Sequence, residues 1–178
     1  MADAVRPDAA DAPGDESTAP ELRYGVPVSV SRGQAVLHPT REQLRETVSA
    51  MRHDGWDQLL DVTAVDYLSA DQPRVLPIGV APERFEVVVV LMSHPRRERI
   101  RLRVQVPADD AHVPSLFDLH PGSEYPEREA FDMFGIVFDD HPDLSRILMP
   151  EDWIGHPLRK DYAVGRIPVQ FKGAPSSR

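Results

Sequence analysis

Glu127, Glu129 and Asp132, with Arg128 among them, put three carboxylates and a guanidinium into the six positions of EREAFD. Carboxylates this close are the raw material of general acid–base chemistry, in which one group gives a proton and another takes it. On a helix, however, Glu124, Arg128 and Asp132 recur at i, i+4 and i+8, so that one arginine can bridge two carboxylates. An opposite charge at that distance lowers a carboxylate's pKa. That direction is wrong for a general acid near neutral pH and weak for a base. Ala130, Phe131 and Phe134 supply an apolar side, so structural ion pairing takes precedence over catalysis.

Metal binding is the second chemistry to weigh. Of the seven histidines, His38, His94, His120, His141 and His156 directly precede proline. A residue before proline is pushed to extended backbone, which places these rings in turns rather than at paired helical spacing. No H-x-x-x-H or H-E-x-x-H occurs, and Asp139, Asp140, His141 and Asp143 lack the glycine-shaped loop of a calcium site. Glycine-rich nucleotide loops and a G-x-S-x-G elbow are absent, and Ser145 has no local histidine partner. With no cysteine in the chain there is no thiolate ligand for zinc or an iron–sulfur cluster. The residues read as support for chemistry done elsewhere, with no catalytic, cofactor-binding or metal-binding residue assigned.

The elements that must position the 124–135 helix are visible in the periodicity. TREQLRETVSAMRHDG predicts a helix, with Thr40 and Gln43 as a capping box, Leu44, Val48 and Met51 on one face and Gly55 as the stop. A strand is expected around 58–67, then a loop broken by Pro73, Pro77 and Pro82. RFEVVVVLMS reads as a strand covered on both faces, and HPRR turns it into ERIRLRVQV, which alternates strictly. The stripe of Arg99, Arg101 and Arg103 is expected to be a solvated sheet face, with an acidic partner as the other option. HVPSLFDLHPG and YPEREAFDMFG read as two short helices, the second closed by Gly135. The fold class is therefore α+β: a two-layer domain over 22–138, with a mixed sheet and helices on one side.

At 178 residues, with 28% charged and 41% hydrophobic residues, the chain is long enough for one domain plus extensions. A net charge of −9 argues against general nucleic-acid binding. Residues 1–21 have almost no large apolar side chain and are expected to be disordered. No apolar run approaches the ~18 residues of a membrane span, and the N-terminus lacks a signal-peptide pattern, so a soluble, cytosolic chain is expected. Residues 139–178 are expected to form an extended tail. Leu144, Ile147, Leu148, Met149, Trp153, Ile154 and Leu158 give it too much apolar surface to be a free linker, and Ile167, Val169 and Phe171 alternate as in a segment added to a sheet edge. Folding back on its own domain and covering a partner both remain open.

Three blocks in order, EREAFDMFGIVFDDHP, DLSRILMPEDW and GHPLRKDY, closely resemble the thirty-kilodalton (C-type) subunit family of respiratory complex I, the NADH–quinone oxidoreductase. Ser145 stands where many members carry a basic residue. The resemblance implies a peripheral-arm subunit with no redox centre of its own, on the cytoplasmic side of the cell membrane and attached through the complex. FMN and iron–sulfur clusters would belong to partner subunits, and the chief partner would be the large, D-type neighbour at the quinone site. It marks as family-motif and interface positions Glu127, Arg128, Glu129, Asp132, Gly135, His141, Pro142, Asp143, Arg146, Gly155, His156, Pro157, Leu158, Arg159, Lys160 and Asp161, of which Arg128, Glu129, Asp132, His141, Asp143, Arg146, Arg159, Lys160 and Asp161 are expected in buried or interfacial ion pairs. The same family in a membrane-bound hydrogenase or another dehydrogenase is the alternative. A stand-alone enzyme using Glu129, Asp132 and His141 is the remaining one.

Overall fold

The computed structural model describes residues 21–70 and 73–163. The expectations for residues 1–20 and for Ile167, Val169 and Phe171 lie outside the described residues. Strands β1 (Leu22–Arg23), β2 (Val26–Ser31) and β3 (Gln34–Leu37) lead into helix α1 (Leu44–His53). Strands β4 (Gln58–Asp66), β5 (Phe85–Ser93) and β6 (Glu98–Val106) follow, then β7 (His112–Pro114), a 3-10 turn (Pro121–Ser123), helix α2 (Glu124–Phe134) and β8 (Val137–Asp139). Six strands form one sheet in the order β1-β2-β3-β6-β5-β4, and β7 and β8 form a second, two-stranded one. All neighbours in the large sheet are antiparallel except β3 and β6, so the sheet is mixed.

Register decides which layer each side chain joins. Val87 pairs with Val104 and Val89 with Leu102, and both pairs are buried in the one core. Leu44, Val48 and Met51 of α1 and Ala130, Met133 and Phe134 of α2 belong to that same core, so both helices cover this face. Each of the larger of these side chains gains about 1.5–3 kcal/mol on burial, which makes this face the one that holds the layers together. The capping box forms as read: Thr40 N–H donates to Gln43 Oε1 and Gln43 N–H to Thr40 Oγ1, at 3.0 and 3.3 Å. It closes a preceding turn, and regular helix starts only at Leu44.

Two expectations are corrected. HVPSLFDLHPG is not a helix: His112–Pro114 pairs in parallel with Val137–Asp139, and a turn follows. Apolar residues at 113, 116 and 119 carry helical spacing, but a strand partner some 25 residues later claims the backbone first. The arginine stripe is not simply solvated. Glu86 of β5, buried on that same face, accepts from Arg103 Nε at 2.6 Å and Gln105 Nε2 at 2.6 Å, and Arg74 lies 3.5 Å away. A buried carboxylate demands partners, and that demand draws the guanidiniums down onto the sheet.

Candidate functional site

Helix α2 is the hub on which the marked residues converge. Glu124 and Glu127 lie in its first turn, where the helix dipole favours negative charge. Pro126 falls among the first four positions, whose N–H groups have no intrahelical acceptor. Gly135 closes it in the left-handed conformation, φ 70°, with its N–H on Phe131 O.

Glu127 and Asp132 are both wholly buried, and both spend their oxygens on loops. Glu127 accepts from Ser115 Oγ at 2.6 Å and from Leu116 N–H at 2.8 Å, fixing the turn after β7. His141 lies beside it: Asp143 N–H donates to Nδ1, which leaves the ring proton on Nε2 to donate to Glu124 O at 3.1 Å. Asp132 collects Arg146 Nη1 at 2.6 Å and the N–H groups of Ile147, Leu148 and Met149 at 3.1, 2.8 and 2.8 Å. Burial raises its pKa, but the Met149, Leu148 and Ile147 N–H donors and Arg146 outweigh it, and the net shift is downward. Arg146 goes on to Trp153 O and Gly155 O, so one ion pair anchors the whole 146–155 excursion.

The i, i+4 bridge expected of Arg128 does not form. Arg128 reaches instead to Ser145 O, Ser145 Oγ and Arg146 O at 3.1, 2.8 and 3.1 Å. Ser145 is thereby a partner of Arg128 through both its carbonyl and its hydroxyl. Glu129 is exposed and makes no ion pair among the described residues.

The segment 155–161 caps the other end of α2. His156 Nδ1 donates to Asp132 O at 3.0 Å, Leu158 N–H to Met133 O at 3.0 Å, and Arg159 Nε and Nη2 to Phe134 O and Gly135 O at 2.5 and 3.4 Å. The carbonyls a helix leaves without partners are thus all answered from one turn of chain. Burial pushes the His156 ring below the usual imidazole range, against the opposing pull of its bond to Asp132 O. A Cβ at Gly135 would lie 2.5 Å from His156 Nε2, and one at Gly155 would lie 2.9 Å from the Tyr162 ring, so both glycines are filled by neighbours.

The segment is pinned once more beyond α2. Asp66, at the end of β4, accepts Lys160 N–H at 2.9 Å and Arg84 Nε and Nη2 at 3.1 and 2.9 Å, while Arg84 Nη2 also holds Asp161 at 2.8 Å. The Lys160 side chain is exposed, as is Pro142, while Pro157 is half-buried. Sequence reasoning did not single out Asp66, Arg84 or Ser115. Asp66 and Lys160 are 94 positions apart, and no local pattern reports such a pair. Chemically the arrangement is a clamp: each buried carboxylate in it accepts two or more hydrogen bonds from other segments of the chain. Among the described residues no three His, Asp or Glu side chains are grouped to hold a metal.

The clamped segment exposes several apolar side chains among the charged Glu151, Asp152, Lys160 and Asp161. Leu148, Ile154 and Leu158 are 55%, 89% and 49% exposed, with Ile147 at the margin, and Tyr125 of α2 is exposed as well.

A sequence profile of the family described as "Respiratory-chain NADH dehydrogenase, 30 Kd subunit" matches residues 37–167. The C-type NADH-quinone oxidoreductase subunit of Saccharopolyspora erythraea is 45% identical over 150 residues, covering 83% of this chain and 56% of that one. Its namesake from Acidothermus cellulolyticus is 45% identical over 148 residues, covering 82% and 72%. The chain therefore spans little more than half the length of the first relative. Among solved structures, the trypsin-resistant fragment (1-134) of Nqo5 is 36% identical with a TM-score of 0.60, covering 67% of this chain and 90% of that one. An archaeal membrane-bound sulfane sulfur reductase complex contains a chain that is 21% identical with a TM-score of 0.59, covering 78% of each, which shows a shared fold alone. The blocks gathered around α2, the match over residues 37–167 and these relatives agree: the chain belongs to the 30 kDa subunit family of respiratory-chain NADH dehydrogenase.

Proposed function

We propose that the chain is a non-catalytic subunit of the peripheral arm of an NADH–quinone oxidoreductase, where it supports the quinone-reducing module and its assembly. FMN and iron–sulfur clusters carry the electrons in partner subunits, and the isolated chain turns nothing over. Its place is the cytoplasmic side of the membrane, held there through the complex, and its chief neighbour is the large, D-type subunit at the quinone site. The observation that supports this most is the clamp. Buried Asp132 of α2 and the cap on the helix's C-terminus hold residues 146–161 in place while Leu148, Ile154 and Leu158 face outward. Exposed apolar side chains held in place by buried ion pairs are what an obligate interface requires. The motif positions from Glu127 to Asp161 then act by building and presenting that surface.

The test is a double variant, Leu148→Asp with Ile154→Asp. Both sites are exposed, so the purified chain should unfold within about 0.5 kcal/mol of the wild type. In the native host, the tagged variant should fail to capture iron–sulfur and flavin subunits from solubilised membranes, and NADH–quinone activity should fall with it. Normal capture and activity would refute the interface. Capture of hydrogenase subunits by the unaltered chain would move the assignment to that relative.

A further inference from the structure

Arginines show a pattern that the clamp does not use. Outside one end of the sheet, each described arginine holds a carboxylate or a backbone carbonyl: Arg41, Arg45, Arg74, Arg84, Arg103 and Arg146 make ion pairs, and Arg52, Arg128 and Arg159 bond carbonyls. Arg23, Arg32, Arg97 and Arg99 do neither among the described residues. Arg23 of β1, Arg97 of the β5–β6 turn and Arg99 at the start of β6 line one cavity, and Arg32 of the β2–β3 turn directly precedes Gly33 in its wall. At this end Arg96 is paired, with Asp54 at 2.8 Å, and Arg101 bonds Ser31 O.

The backbone adds an independent sign. Arg32 and Arg97 each sit at a turn tip with φ 54°, a conformation that favours glycine or asparagine. The parallel register of β3 and β6 sets the two turns side by side, so neighbouring tips each carry an arginine where smaller residues fit more easily. Between the turns lies a concave site of about 390 Å³ lined by Arg23, Arg97, Arg99 and Glu98, with Ala35 and Ile100 beneath. Arg23 is held in place over the Trp56 and Tyr24 rings, 5.6 and 5.5 Å from their centroids. The rim is basic although the chain as a whole carries −9.

We infer that this basic end of the sheet is a second docking site, taking a carboxylate-bearing segment of a neighbouring subunit. The inference rests on the reading of the chain as an assembled subunit. Guanidiniums contributed from two turns and two strands are answered by a chain bearing several carboxylates, each taken as a planar, two-bond pair. A single phosphate would answer one or two of them. Glu98 at the rim then works against an acidic segment in the wrong register, while Ala35 and Ile100 offer it a small apolar floor. This surface is separate from the one around Leu148 and Ile154 and does not share residues with it.

The test places a photo-reactive residue in the cavity without touching an arginine: Gln34→p-benzoyl-phenylalanine, in the tagged chain, irradiated in the intact complex. The expected product is a cross-link to an Asp/Glu-bearing peptide of another subunit. Its yield should fall about tenfold or more when Arg97→Glu and Arg99→Glu are added. Circular dichroism checks that this variant is folded, and Arg97→Gln alone, at an exposed turn, serves if it is not. A cross-link to residues 1–20 of the same chain, a cross-link to phospholipid, or a yield indifferent to charge reversal would overturn the inference. So would the absence of any cross-link in a complex that still contains the chain. If the chain does not co-purify with oxidoreductase subunits at all, the preceding reading fails first, and this one with it.

Discussion

Asp132 has no surface of its own and still keeps its charge, because four donors from residues 146–149 converge on one carboxyl group. Removing one partner of such a pair strands the other, and Arg146 would be left among Trp153 O and Gly155 O without its counter-charge. Asp132→Ala should therefore cost about 3–5 kcal/mol, read as a shift in the urea midpoint of the purified chain. His38 makes a second prediction at this scale. It is buried on the sheet face away from the helices, shares a hydrogen bond with Ser29 Oγ at 2.8 Å, and has Arg103 and Glu86 nearby. Burial and the Arg103 charge hold its pKa at about 4 against the opposing pull of Glu86. Between that value and the ordinary 6.5 the unfolded chain binds a proton that the folded chain refuses. Stability is full above pH 6.5 and declines as pH falls toward 4, by roughly 3 kcal/mol for this group. His120 and His156, also lowered, push the same way. His38→Gln should flatten the slope of unfolding free energy between pH 7 and 4.5; an unchanged slope would show that other groups carry it. What the sequence made readable here was residue type, not partner. Glu127 and Asp132 of EREAFD accept bonds from loop residues, whereas the expected partners of Arg128 lay four positions away and its acceptors are in Ser145 and Arg146. Helix spacing constrains only what lies on the same helix.

At the scale of elements, α2 was readable because its signals are local: acids in the first turn, an early proline, a closing glycine. The short β7 was not, since a parallel pair draws its energy from a strand far along the chain, and β8 was equally invisible for the same reason. The cap on α2 makes Gly135 the most exacting position of the motif. Gly135→Ala would force a left-handed alanine, at about 1 kcal/mol, and would also drive His156 and Arg159 from the carbonyls they hold. The expected loss is about 2–4 kcal/mol, with trypsin then cutting at Arg159 and Lys160 well before global unfolding. Gly79→Ala, also at positive φ but with open space around it, should show only the backbone part. Equal effects at the two sites would mean that the cap contributes nothing.

For the whole molecule, the α+β class, the helices on one face and the β5–β6 hairpin followed from periodicity, because a two-layer domain is governed by which face is apolar. Strand order did not follow: the parallel junction of β3 with β6 brings together segments separated by α1, β4 and β5, and nothing in either segment names the other. The same long reach governs the described tail. Lys160 N–H closes on Asp66, Asp161 on Arg84, and Leu158 on Met133, so residues 155–161 can lock only onto a finished β4, a finished β5 and a finished α2 at once. Contacts so distant in sequence form late in folding. Pulse-labelled hydrogen exchange should accordingly find the Leu158 and Lys160 amides protected no earlier than those of Val89 and Leu102, and earlier protection would contradict this order. The consequence is a checkpoint written into chain connectivity. On the interface proposed above, Leu148, Ile154 and Leu158 come into register for a neighbour only after the sheet behind them is complete, so a half-folded copy would carry no valid docking face and would be screened out before it could be built into anything larger.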